Sequence, residues 1–193
     1  PGCLGQGTSE AVDLGIAELS GVVTDDSLRT ELVGQHRAHF CCRAGHPILR
    51  NRANKLKDLL GYPWATTRLP PRHAAALPQD TGRAGYVDAF SGDFVPAVDV
   101  GTPANLARLL GQSDVLLLCT LSLVEQDLKS GDVVVVPTPG LDFRASYGFI
   151  YLKSRPLSPA TQAFMAEFRA CEKVLATHEA VLDAEFRLRG HRS

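Results

Sequence analysis

Three short groups of residues have the types and spacing to hold a small anion. Thr66, Thr67 and Arg68 stand together, two hydroxyls beside a guanidinium able to grip a carboxylate through two parallel N–H bonds. Thr102 precedes Pro103, an N-cap followed by a proline at the first helical position, and Asn105 falls in the same opening turn. A helix start offers unpaired amides and partial positive charge, which suit a carboxylate or phosphate. Cys119 and Thr120 end the apolar run Val115–Cys119, a buried-strand pattern whose carboxyl end is where α/β sheets bind ligands. Each group also has a plainer reading. Thr66–Arg68 suit a solvated loop with Arg68 paired to a surface carboxylate, Thr102 suits a simple cap, and Cys119 suits core packing.

Signs of catalysis are missing. There is no Gly-x-Ser-x-Gly elbow, no phosphate-binding P-loop and no Gly-x-Gly-x-x-Gly after a strand. No catalytic residue, cofactor or metal is expected. The five cysteines, Cys3, Cys41, Cys42, Cys119 and Cys171, contain no Cys-x-x-Cys pair. Cys41 and Cys42 are adjacent and are expected on opposite faces of one strand, as free thiols. His46 precedes Pro47 in a tight turn and reads as structural. His36, His39 and His73 lack a partner motif, and His178 reads as a packed histidine. Asp25, Asp26 and Glu31 read as a polar loop.

The elements that must position these groups follow from the patterning. Val12–Ala17, Arg37–Arg43, Trp64–Thr67, Phe94–Val100, Val115–Cys119, Val133–Val136 and Tyr147–Lys153 read as strands or extended segments. Asn54 is expected to cap a short helix through Leu60, with Gly61 in the C′ position, and Ser122 with Glu125 to form a capping box for a helix ending near Gly131. A weak helix is expected over Tyr86–Phe90. The stretch from Phe94 to Val136 reads strand–helix–strand–helix–strand, the signature of a parallel sheet with helices on its faces. From Ser158-Pro159 an apolar stripe through Phe164, Phe168, Cys171, Leu175, His178, Leu182 and Phe186 predicts one long helix, roughly 45 Å at about 1.5 Å per residue.

The totals bound the class. The chain has 193 residues, 45% hydrophobic and 21% charged, with a formal net charge of -1, so a basic nucleic-acid-binding stripe is not expected. Neither a signal peptide nor a membrane span is read, and a cytoplasmic protein is expected.

Several segments together resemble the effector-binding domain of LysR-type transcription regulators. Val12-Asp13-Leu14-Gly15-Ile16 resembles the family's "DLAI" strand, and Arg43-Ala44-Gly45-His46-Pro47 its "HPL" turn. Asn54–Tyr62 followed by Pro63, the Gly131-Asp132-Val133-Val134 step, Tyr147–Tyr151 and Leu157-Ser158-Pro159-Ala160 match later motifs in the same order. The resemblance implies an α/β fold like periplasmic binding proteins of type 2, two Rossmann-like lobes joined by two hinge crossings. The crossings are expected near Tyr62–Thr67 and Ser146–Lys153. Residues 1–65 and 141–193 would form the first lobe and 66–140 the second.

The resemblance further implies a small-molecule effector held between the lobes by Thr66, Thr67, Arg68, Thr102, Asn105, Cys119 and Thr120. Ser113-Asp114, where many members carry Gly-x-Gly, hints at a sugar-derived or aromatic ligand. A homodimer or tetramer is implied, through surfaces of both lobes. DNA would be bound only through a winged helix-turn-helix that this sequence does not contain, and the first strand–helix–strand of the family's effector domain is not seen either. The end of the long helix is expected to pack on a neighbouring protomer or on the first lobe. A solute-binding protein of a transporter and an enzyme on the same scaffold are the alternatives.

Overall fold

The computed structural model describes residues 13–19, 25–51, 53–99 and 106–190. These divide into two compact units, the first drawn from 1–36 and 145–177, the second from 37–144 and 178–193.

In unit 1, β1 (Gly15–Glu18) pairs antiparallel with β9 (Phe143–Leu152), Gly15 opposite Ile150 and Glu18 opposite Tyr147. β9 neighbours β2 (Leu28–Arg43). β2 is longer than the expected Arg37–Arg43. Its first half, Leu-Arg-Thr-Glu-Leu-Val, is exposed or half-buried throughout, so it lacks both the apolar density and the strict two-residue alternation by which a strand is read from sequence. Glu31 therefore lies in a strand and not in a polar loop. The helix α5 (Pro159–Gly190) begins in this unit, its start held by the Ser158 hydroxyl, which accepts from the Thr161 amide at 3.1 Å. Phe168 meets Phe149 and Tyr147 edge-on.

In unit 2 the sheet order is β8–β2–β7–β3–β6. β7 (Leu116–Cys119), β3 (Trp64–Thr66) and β6 (Val98–Asp99) run parallel. The end of β2 runs antiparallel between β7 and β8 (Val133–Val135), with Cys41 opposite Leu117 on one side and Val135 on the other. The expected parallel sheet thus forms with one opposed strand inserted. Adjacent Cys41 and Cys42 face opposite ways, as their alternation requires, and belong to two different core clusters. One cluster centres on Trp64, Phe40, Phe94 and Phe143, with Phe40 and Trp64 edge-on at 4.6 Å. The other contains Cys41, Leu117, Cys119, Leu121 and Val124, beside α3 (Leu106–Gly111) and α4 (Glu125–Ser130).

The first passage between units falls inside β2, between His36 and Arg37. Residues 37–65 therefore group with unit 2, because the end of β2 is laddered to β7 and β8, whereas the lobes drawn from the resemblance place them with the chain ends.

Three local expectations are corrected. Tyr86–Phe90 is not helical: β4 (Gly85–Val87) forms a hairpin with β5 (Phe94–Pro96), turned by Asp88, whose carboxylate accepts from the Phe90 and Ser91 amides. Asn54 does not cap α1 (Leu56–Leu59). Lys55 holds that position, its amide donating to Asp58, while buried Asn54 anchors to the Pro137 carbonyl. Ser122 and Glu125 form no capping box. The helical run begins at Leu121 as a 3-10 turn and continues as α4, ending at Gly131 in the left-handed conformation. α2 (Pro71–Ala74) is a single short turn. Among the described residues no helix is long and apolar enough to cross a membrane.

Candidate functional site

Three parallel strands bring the candidate residues of unit 2 to one sheet edge. β3 ends at Thr66, which is buried, and Thr67 and Arg68 follow in the open. β6 ends at Asp99, in register with Thr66. β7, parallel to β3 with Ala65 opposite Leu117, ends at Cys119, and half-buried Thr120 then begins the helical run Leu121–Ser130. The carboxyl edge of β6–β3–β7 therefore carries Asp99, Thr66–Arg68 and Cys119–Thr120. Arg68 is already engaged, its Nε 3.5 Å from the Asp99 carboxylate, with both side chains about half exposed (46% and 49%). One such contact leaves most of a guanidinium's five donors available. Cys119 is buried and its thiol meets that of Cys41; this contact, then burial, pushes the Cys41 thiol well above the usual range. Such a thiol is a poor nucleophile. Thr102 and Asn105 lie outside the described residues.

The sequence reading missed two glutamates that sit at the heart of the units. Met165, Phe168, Glu172, Leu175, Glu179, Leu182 and Phe186 form the inner stripe of α5, stepping by three and four, while Cys171 is exposed and His178 half-exposed. The available signal was a pair of carboxylates, seven residues apart, on the apolar stripe itself. A charge placed there must find partners when buried.

In unit 1 those partners are ionisable side chains. The Glu172 carboxylate lies 2.8 Å from His36 Nε2 and accepts from the Tyr147 hydroxyl, which also lies 3.3 Å from His36. Gly34 makes room for this cluster: a Cβ there would collide with Glu172 Oε1 and stand 2.8 Å from the Tyr147 ring. In unit 2 the partners of Glu179 are backbone groups. Its two oxygens accept from the Leu121 amide at 3.1 Å and the Ser122 amide at 3.0 Å, and the residue is only 8% exposed. It thereby caps the helical run that starts at the end of β7.

His36, His39 and His73, which carry no partner motif in the sequence, each have a local partner, as does His178. His36 joins Glu172, His39 lies 3.0 Å from Asp183, and His73 reaches the Arg144 carbonyl at 3.0 Å. His178 pairs with Glu125 at 2.8 Å. Burial holds the His39 imidazole below its ordinary range against the pull of Asp183. His46 is buried in its turn, its Nδ1 accepting from the Ile48 amide, and burial lowers it too. Among the described residues no group of three or more potential ligands is arranged to hold a metal ion.

The comparisons with known proteins agree on one family. The model of the LysR substrate binding domain matches residues 4–171. The chain is 30% identical over 158 residues to the SDS degradation transcriptional activation protein of a Pseudomonas species, covering 80% of this chain and 49% of that protein. It is 24% identical over 164 residues to the HTH-type transcriptional regulator GbpR of Azospirillum brasilense, covering 82% and 45%. The chain thus spans about half the length of the curated relatives it matches. The regulatory domain of MetR, a LysR family regulator from N. meningitidis, has the same fold at 11% identity, with a TM-score of 0.64 over 86% of this chain and 75% of that one. The fold is the α/β, periplasmic-binding-protein type 2-like one of that family. The family and the matched relatives are transcription regulators and not enzymes. This chain belongs to the LysR substrate-binding domain family.

Proposed function

We propose that this chain senses a small anionic effector for a LysR-type transcription regulator, and that the carboxyl edge of β6–β3–β7 is its contact face. The observation that carries the reading is the convergence of Thr66, Thr67, Arg68, Cys119 and Thr120 on that edge by three parallel strands. Parallel strands end with their side chains and following loops on one side, which is why open α/β sheets bind ligands there. The hydroxyls of Thr66, Thr67 and Thr120 supply hydrogen bonds, and Arg68, swinging from Asp99, supplies charge. Thr102 and Asn105, which follow β6, complete the candidate set.

A ligand changes the protein only as far as it prefers one arrangement. The proposal includes a cytoplasmic homo-oligomer, two lobes that respond to the effector, and DNA contact made by a helix-turn-helix outside this sequence. The effector is taken as aromatic or sugar-derived from Ser113-Asp114. Its anionic character is supported by the relative whose name refers to degradation of SDS, an anionic detergent.

Titration calorimetry with a panel of small carboxylates, aromatic acids and sugar acids tests the reading. At least one anion is expected to bind, roughly tenfold more weakly after Thr66→Val or Thr120→Val, the loss of one hydrogen bond to a charged group. Binding that neither substitution alters would overturn this face.

A further inference from the structure

We infer that Asp99 is a ligand-selecting residue of this face, and that the effector is an acid with a hydrogen-bond donor on the carbon next to its carboxylate, as in an α-hydroxy or α-amino acid. The inference rests on the reading above and deepens it. Two observations carry it, the unpartnered hydroxyl of Thr66 and the opposite charges beside it.

β3, β6 and β7 sort their side chains by alternation. Trp64, Leu116 and Leu118 belong to the core cluster with Phe40 and Phe94 on one side of the sheet, and Ala65, Leu117 and Cys119 to the cluster on the other. Val98, in register with Ala65, packs on the Cys119 side. Thr66 and Asp99, the next pair in register, therefore point to the Trp64 side. So does Thr120, two residues beyond Leu118 with its backbone still extended. The Cys119 side is filled by its own cluster, which includes Leu182 and Phe186 of α5. The segment 178–186 thus packs within unit 2, and not on the first lobe or a neighbouring protomer as its sequence suggests.

Thr66 is only 6% exposed, and it stands apart from the other buried polar residues. Thr81 donates to the Gly85 carbonyl at 2.6 Å, and Ser146 accepts from Gln35 at 3.0 Å. Among the described residues none hydrogen-bonds to the Thr66 hydroxyl. A buried hydroxyl needs a partner, and at the carboxyl edge of parallel strands a ligand atom is the natural one. Beside it the face carries both signs. Asp99 is aligned with Thr66, and Arg68 Nε lies 3.5 Å from the Asp99 carboxylate. A guanidinium can only donate and a carboxylate can only accept. A ligand carboxylate drawn to Arg68 therefore comes close to Asp99, and like charges repel. A donor on the neighbouring carbon turns that repulsion into a hydrogen bond to a charged group. The Thr66 hydroxyl can donate to the ligand carboxylate or accept from that donor. A plain acid satisfies Arg68 alone.

Phenylacetate, mandelate and phenylglycine share one frame and differ in the substituent beside the carboxylate: hydrogen, hydroxyl or ammonium. Each is titrated calorimetrically into the full chain. Mandelate or phenylglycine is expected to bind roughly tenfold more tightly than phenylacetate, and the better of the two identifies the donor as hydroxyl or ammonium. Asp99→Ala is expected to shrink that preference below about threefold, chiefly by tightening phenylacetate, and the isosteric Asp99→Asn reports the same direction if the alanine variant folds poorly. Equal binding of the three acids to the wild type, or a preference that neither Asp99 variant alters, would overturn the role of Asp99, while weaker binding in Thr66→Val keeps the effector face standing. Failure of all three acids, while another anion of the panel binds through Thr66, would overturn the ligand class. Failure of the whole panel removes the effector face itself, and this inference with it.

Discussion

Glu172 and Glu179 lie on the same stripe of α5, seven residues apart, and both are buried, yet each unit satisfies its glutamate by different means. Unit 1 surrounds Glu172 with the side chains of His36 and Tyr147. Unit 2 gives Glu179 two backbone amides, whose hydrogens do not titrate in any ordinary pH range. The first arrangement needs three side chains and a glycine to fit together. The second needs only that a helical run start where β7 ends. A side-chain cluster is thus specific and fragile, whereas an amide pair accepts any carboxylate presented to it at the right place.

The largest expected effect breaks the first arrangement. Glu172→Ala leaves the His36 imidazole and the Tyr147 hydroxyl facing a buried void, and removing one member of a buried pair costs about 3–5 kcal/mol. Urea unfolding measures it, with hydrogen exchange showing the loss in unit 1. Glu179→Ala is expected to cost less, about 1.5–3 kcal/mol for hydrogen bonds to a charged group, with the exchange change centred on 120–124 and 178–186. Equal costs for the two variants would erase the contrast. Gly34→Ala sharpens it: the added Cβ meets Glu172 Oε1, and overpacking of this kind costs about 1–3 kcal/mol, without affecting unit 2.

A smaller effect concerns pH, and it arises in unit 2. Burial holds His39 and His46 below their ordinary value of 6.5. The unfolded chain therefore takes up protons near that pH while the fold resists them, so stability falls as pH drops from about 7 through the lowered folded values. Thermal unfolding between pH 5 and pH 7.5 is expected to show this slope, and His46→Gln to flatten it. A slope unchanged in His46→Gln assigns the effect to His39 or elsewhere. The smallest effect is Glu31→Gln. Arg169 and Glu31 are joined by two hydrogen bonds on the surface of unit 1, and such pairs contribute little, so a change within about 1 kcal/mol is expected, shrinking in salt.

These contrasts also show what the residues disclose by themselves. Val115–Cys119 and Val133–Val136 declared their strands through continuous apolar runs, and Ser158-Pro159 declared the start of α5 through its cap. The first half of β2 was illegible because Leu28–Val33 is exposed or half-buried throughout, without regular alternation, and looks like any polar segment. The β4–β5 hairpin was mistaken for a weak helix because Asp88 sets its turn through side-chain-to-amide bonds that propensity does not register. Of the candidate face, Thr66–Arg68 and Cys119–Thr120 were legible from strand ends. Glu179 was not, because its partners are backbone amides far away in sequence, and a backbone amide leaves no residue type to search for.

The effector face is the central claim, and its most direct test is in the full-length protein. Operator affinity is measured with and without the panel anion that binds the wild-type chain, and again in the Thr120→Val variant. The account predicts a ligand-dependent change of roughly fivefold or more in the wild type, the lower end of ordinary allosteric coupling, that needs about tenfold more ligand in the variant. Equal operator affinity with the ligand fully bound would contradict it.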